Sequence, residues 1–140
     1  MSLKDFVIHK EQVSFRGGVL EVRGLALNDV TVIARDHLAE LDRLFNLYDS
    51  DVTRNAAMSE SAAFAVKLIQ ESPQLVATMI ALACDDPASV DKAQCLPLPV
   101  QVETVRKIIE LTFEEAGGAK KFFDSLVELV SGVMPLRLTP

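Results

Sequence analysis

Hydrophobic and polar positions alternate with a period of two in only one part of this chain. Within residues 6–25, Val13 and Phe15 are separated by polar Ser14, and Leu20 and Val22 by Glu21. Arg16-Gly17-Gly18-Val19 lies between them, and its glycine pair can adopt the positive φ that a tight turn needs. The pattern predicts a β-hairpin. A lone hairpin is marginal in water, so it must pack on other elements or gain strands from another subunit.

Beyond Gly24 the period lengthens. Val30, Ile33, Ala34, His37, Leu41, Leu44, Phe45 and Tyr48 recur at helical spacing, and Arg35, Asp36, Glu40, Asp42 and Arg43 take the other face. With Asn28 as the cap, one long amphipathic helix is predicted from Asp29 to Tyr48. A polar connection over 49–58 precedes a second helix that Ser59 or Ser61 opens and Ser72 ends. It carries Phe64, Val66, Leu68 and Ile69. Ser72-Pro73 then signals a third helix, with serine as cap and proline at the first helical position. That helix is apolar almost all round from Leu75 to Ala83, so it belongs at the centre of the domain or in an interface.

Asp85-Asp86-Pro87 ends it, and residues 87–94 suit a short helical turn. Pro97 and Pro99 lead into a helix with Val102, Val105, Ile108, Ile109, Thr112 and Phe113, which Gly117-Gly118 stops. The last helix carries Phe122, Phe123, Leu126, Val127, Leu129 and Val130. The reading is a mainly α protein of four to five helices packed as one domain with an N-terminal β-hairpin. The hairpin takes 6–25, the helical body 28–134, and 135–140 reads as a frayed tail.

Composition narrows the function. Of 140 residues 49% are hydrophobic and 24% charged, which suffices for a packed core. The net charge is −6, and basic residues occur as isolated pairs such as Arg106–Lys107 and Lys120–Lys121. Nucleic-acid binders cluster such charges to displace counterions, so no nucleic-acid partner is expected. No run approaches the roughly 18 apolar residues of a membrane span, so no membrane partner is expected either. Without a secretory pattern at Met1-Ser-Leu-Lys-Asp5, Cys84 and Cys95 read as reduced thiols in the cytoplasm.

The strongest candidate chemistry is the connection after the first long helix. Asp49, Asp51, Thr53 and Glu60 match the first, third, fifth and twelfth ligand positions of an EF-hand loop. The sixth position, where glycine makes the sharp turn, is Arg54, and a polar helix–helix connection is the better reading. His37 reads as a half-buried residue at the edge of an apolar stripe, and His9 as solvent-exposed. The two lack metal-ligand spacing. The cysteines lack CxxC spacing, and no serine sits in a nucleophile elbow. No enzyme activity, cofactor or metal is therefore expected.

What remains is apolar surface. Adjacent helical residues point about 100° apart, so of Phe122 and Phe123 one ring can enter the core while the other faces a partner, the alternative being a core face wide enough for both.

Several stretches in order carry a likeness. They are Ser2-Leu-Lys-Asp-Phe6, Val22-Arg-Gly-Leu-Ala-Leu-Asn-Asp-Val30 and Arg35-Asp-His-Leu-Ala-Glu-Leu-Asp-Arg-Leu-Phe45. Ser72-Pro-Gln-Leu-Val-Ala-Thr-Met-Ile-Ala-Leu-Ala83, Leu96-Pro-Leu-Pro-Val-Gln-Val102 and Leu111-Thr-Phe113 continue it. Together they resemble the tail assembly chaperones, or pre-tape-measure chaperones, of long-tailed bacteriophages and prophages. The resemblance spans nearly the whole chain and rests on structural signatures, not catalytic ones.

The resemblance implies a protein that binds the helix-rich tape measure protein and keeps it soluble before the tail tube polymerises around it. The tail tube protein is then a second partner. The site of action is the bacterial host cytoplasm, and the protein is absent from the mature virion. One small copy covers little of a long client, so a homo-oligomer or many copies per client is expected. Client contact is assigned to Ile109, Phe113, Phe122, Phe123 and Val130, and a subunit contact to Phe15 and Leu20. The alternative is a non-catalytic helical adaptor or regulatory protein that binds a folded partner.

Overall fold

The period-two segment forms the expected hairpin, shorter than the pattern suggested. The computed structural model describes residues 2–40 and 61–131. Strand β1 (Lys10–Phe15) pairs antiparallel with β2 (Gly18–Arg23), in a register running from Lys10↔Arg23 to Phe15↔Gly18. Gly18 has φ of 154°, which favours glycine at the start of the returning strand. Residues 6–9 find no partner in β2, because the chain leaves the sheet at Gly24 to run against a helix. A Cβ on Gly24 would meet Thr112 N at 3.0 Å and the Leu111 carbonyl carbon at 3.1 Å. The hairpin's inner face carries Glu11, Val13, Phe15, Leu20 and Val22; Val13 and Val22 are fully covered.

Helix α1 (Leu27–Asp36) starts without the expected cap. Its N-cap is Ala26, which has no side-chain acceptor, and Asn28 is exposed in the first turn. Asp29 instead reaches back and accepts the Ala26 N–H at 2.7 Å, the acidic half of a capping box working alone. The helix also ends earlier than the stripe predicted. His37 leaves helical conformation at φ −133°, ψ 50°, and its Nε2 lies 2.9 Å from Thr78 Oγ1. Periodicity gives no sign of a one-residue interruption like this, since residues 38–40 resume the helix in the same stripe. The remainder of the predicted helix, 41–48, lies outside the described residues, as does the EF-hand-like run from Asp49 to Glu60.

The remaining helices follow the sequence closely. They are α2 (Ser61–Glu71), α3 (Pro73–Ala83), α4 (Val90–Gln94), α5 (Leu98–Ala116) and α6 (Ala119–Ser131). A 3-10 turn at Pro87–Ser89 leads into α4. Every residue of α3 from Leu75 to Ala83 is buried, so the helix that is apolar all round is the central one. Ser72 stands at its N-cap but makes no capping bond, and its buried Oγ has no partner among the described residues. Gly117 closes α5 in the left-handed region at φ 85°, and the Gly118 N–H donates to the Phe113 carbonyl at 2.7 Å. Phe64, Leu68, Leu75, Val105 and Ile108 fill the centre, with Val22 of the hairpin among them. The tail at 135–140 lies outside the described residues.

One buried ion pair joins the hairpin to the helices. The Arg23 guanidinium donates to both Asp29 carboxylate oxygens, at 2.6 and 3.2 Å, and to the Gly24 and Leu82 carbonyls, each at 3.0 Å. Its Nε reaches Asp85 Oδ1 at 3.0 Å. Asp85 closes α3 with φ of 58°, so an aspartate takes the left-handed position at the helix end and turns its carboxylate toward Arg23. Hydrogen bonding to Asp29 above all raises the Arg23 pKa above its ordinary value. The Arg23 hydrogen bond holds Asp85 below the usual carboxylate range.

Candidate protein-binding face

The assigned client-binding residues divide between interior and rim. Ile109 on α5 is only 4% exposed and belongs to the core, so its side chain is not on a free surface. Phe113, one turn further on, is half-buried. Its ring meets Phe64 edge-on at 6.3 Å and Phe122 of α6 at 5.6 Å with a 50° tilt. Such tilted pairs gain from quadrupole geometry as well as from burial. Phe122 turns toward the core, although it stays half-buried. The side chains of Phe123 and Val130 lie outside the described residues.

Beside this aromatic row lies an apolar cavity of about 40 Å³, where α1, α2, α3, α5 and α6 meet. Leu25, Phe64, Phe113, Phe122 and Leu126 are among its walls. The one polar side chain there, Thr112, already accepts the Leu25 N–H at 2.9 Å, so nothing in the wall invites water. A shallower recess beside it, about 190 Å³, runs along Leu27, Phe122 and Leu129. The rim of α5 and α6 therefore offers hydrocarbon and aromatic edges, with charge confined to the outer faces. Arg106 bridges Glu103 and Glu110 there, and the bond to Arg106 lowers the Glu103 pKa.

Phe15 and Leu20 share the inner face of the hairpin, turned toward the helices. Both are half-buried, and Leu20 lines a groove with Ile80, Cys84 and Leu96. The periodicity did not reveal the Arg23–Asp29 pair. Its signals were an arginine at the last strand position before Gly24 and an aspartate in the first helical turn. Among the described residues, no group of three or more His, Cys, Asp or Glu could hold a metal ion. Among the same residues no helix is long and apolar enough to cross a membrane.

The two thiols differ sharply in setting. Cys95 is exposed, whereas Cys84 is half-buried at the end of α3. Burial first, then the charges of Asp86 and Asp85, push the Cys84 thiol up from its ordinary pKa. Since the thiolate is the nucleophile, iodoacetamide at neutral pH should label Cys95 well before Cys84. Peptide mass mapping over a time course reads the order directly, and equal rates would contradict the environment described.

The fold defines a mainly helical, single-domain protein with an apolar rim between α5 and α6. A family model described as pre-tape measure protein matches residues 1–137, so the chain belongs to that family and to the machinery of bacteriophage tail assembly. Comparisons with curated proteins and with solved structures give no match.

Proposed function

We propose that the chain acts without catalysis, as a tail assembly chaperone that binds the tape measure protein and keeps it soluble until the tail tube polymerises. The observation that supports this reading is the half-buried aromatic row of Phe113 and Phe122 at the α5–α6 rim, backed by an apolar cavity. An amphipathic client helix laid along that rim would place apolar anchors against the two rings by helix-in-groove packing. The partners are the tape measure protein and, at release, the tail tube protein. Several copies act on each client in the host cytoplasm and are left out of the finished virion. A net charge of −6 helps such a complex stay dispersed.

Co-expression with a tape measure protein tests the reading. The client should move from the pellet to the soluble fraction and co-purify with the chain. Phe122→Ala should reduce the recovered complex severalfold while far-UV circular dichroism still shows a helical fold. A client that stays insoluble, with no complex recovered, would remove the chaperone function.

A further inference from the structure

The least covered hydrocarbon among the described residues belongs to the N-terminal arm. Leu3, Phe6, Val7 and Ile8 are all exposed, Leu3 at 92% and Val7 at 84%. The 3-10 turn Leu3–Asp5 buries no residue. The arm's polar contacts are local: Ser2 Oγ donates to Asp5 at 3.0 Å, and Lys4 has no ion-pair partner among the described residues. In order, Leu3-Lys4-Asp5-Phe6 presents a positive and a negative charge between two large apolar side chains.

A groove of matching character lies between the hairpin and helices α3 and α4. It encloses about 210 Å³, its floor made by Leu20, Ile80, Cys84 and Leu96, with Asp86 and Lys92 supplying one charge of each sign. Asp86 takes a hydrogen bond from Ser89 Oγ at 2.7 Å, and Lys92 has no ion-pair partner among the described residues.

We propose that the arm of one copy occupies this groove on a second copy, reciprocally about a twofold axis. Leu3 and Phe6 lie on Leu20, Ile80 and Leu96, while Lys4 faces Asp86 and Asp5 faces Lys92. Reach supports the exchange. Lys10, at the root of the arm, pairs with Asp85 at 3.7 Å, next in sequence to groove-lining Cys84 and Asp86. Each arm therefore begins beside its own groove. A twofold axis that sets two grooves side by side leaves residues 3–9 about 23 Å of extended chain to cross. Within one copy the arm leaves Leu3 and Val7 almost bare and about half of Phe6 and Ile8 uncovered, despite that short distance. Reciprocal exchange uses the same patch on both subunits and closes at two copies.

The test needs only the chain itself; no client enters it. Sedimentation equilibrium of the full chain should give a dimer. Leu3→Asp with Phe6→Asp should give a monomer at the same concentration, with an unchanged far-UV spectrum. A monomeric unsubstituted chain, or a variant that keeps its oligomeric state, overturns the exchange. A second experiment locates the arm: Val7→Cys with Cys95→Ser, oxidised with copper–phenanthroline, should yield a covalent dimer through Cys84. Adding Cys84→Ser should abolish that dimer. A bond formed within a single copy, or a dimer that survives without Cys84, overturns the assignment.

Discussion

Asp29→Ala should lower the unfolding free energy by about 3–5 kcal/mol, because it leaves the Arg23 guanidinium buried without its main partner. The Arg23 side chain is 11% exposed and that of Asp29 only 3%, so water cannot replace the lost carboxylate. The same substitution removes the acceptor of the Ala26 N–H and so loosens the start of α1. Removing both partners together is a different matter. Arg23→Met with Asp29→Leu leaves no isolated charge, so the double variant should be more stable than the sum of the single losses implies. Urea unfolding of the unsubstituted chain, Arg23→Met, Asp29→Leu and the double variant gives the coupling; strict additivity would contradict a shared buried network.

Asp85 should behave otherwise, since its side chain is 52% exposed. Asp85→Asn is expected to cost under about 1 kcal/mol at neutral pH. Its folded pKa lies below the unfolded value, so its contribution is present above the ordinary carboxylate range. That contribution is lost as pH falls through the depressed value. The Asp85→Asn chain should therefore lose less stability than the unsubstituted chain over that acidic window.

Gly24→Ala is the second large effect, expected to cost ~3 kcal/mol. The atoms that a Cβ would meet at 3.0–3.2 Å are Thr112 N and the Leu111 carbonyl, all backbone within helix α5. A flexible side chain could move aside, but a hydrogen-bonded helix cannot. The strain should fall where the Leu25 N–H donates to Thr112 Oγ1 at 2.9 Å, lifting the hairpin from α5. Hydrogen exchange should report it as faster exchange at Val13, Val22 and Leu25, with α3 amides little changed. Protection unchanged at those three positions would show that the helix can give way.

These two sites also mark where the sequence stopped being legible. Alternation around Val13, Phe15, Leu20 and Val22 specified the hairpin, and the unbroken apolar character of Leu75–Ala83 identified the central helix, because burial leaves a periodic trace. Gly117 and Pro73 punctuated the helices for local backbone reasons that a sequence displays directly. The Arg23–Asp29 pair leaves no periodic trace, since nothing in either residue's neighbourhood says which charge it will meet. The break at His37 was hidden for a related reason: it is fixed by Thr78, forty-one positions away. The candidate face was half legible. Helical spacing put Ile109 and Phe113 on one stripe, but only packing separates the buried residue from the one at the rim. The likeness to the family lay in the order of the motifs, and the family model matches residues 1–137.

The clasp at Arg23 has a consequence for the order in which the protein is made. The hairpin leaves the ribosome ahead of the helices that hold it, since Asp85 follows Arg23 by 62 positions and Thr112 follows Leu25 by 87. At about 5–20 residues per second, the hairpin segment waits several seconds for the surfaces that will hold it. During that interval its protection against sticking to neighbouring nascent chains rests on Lys10, Gln12, Ser14 and Glu21, the polar side chains along its outer face.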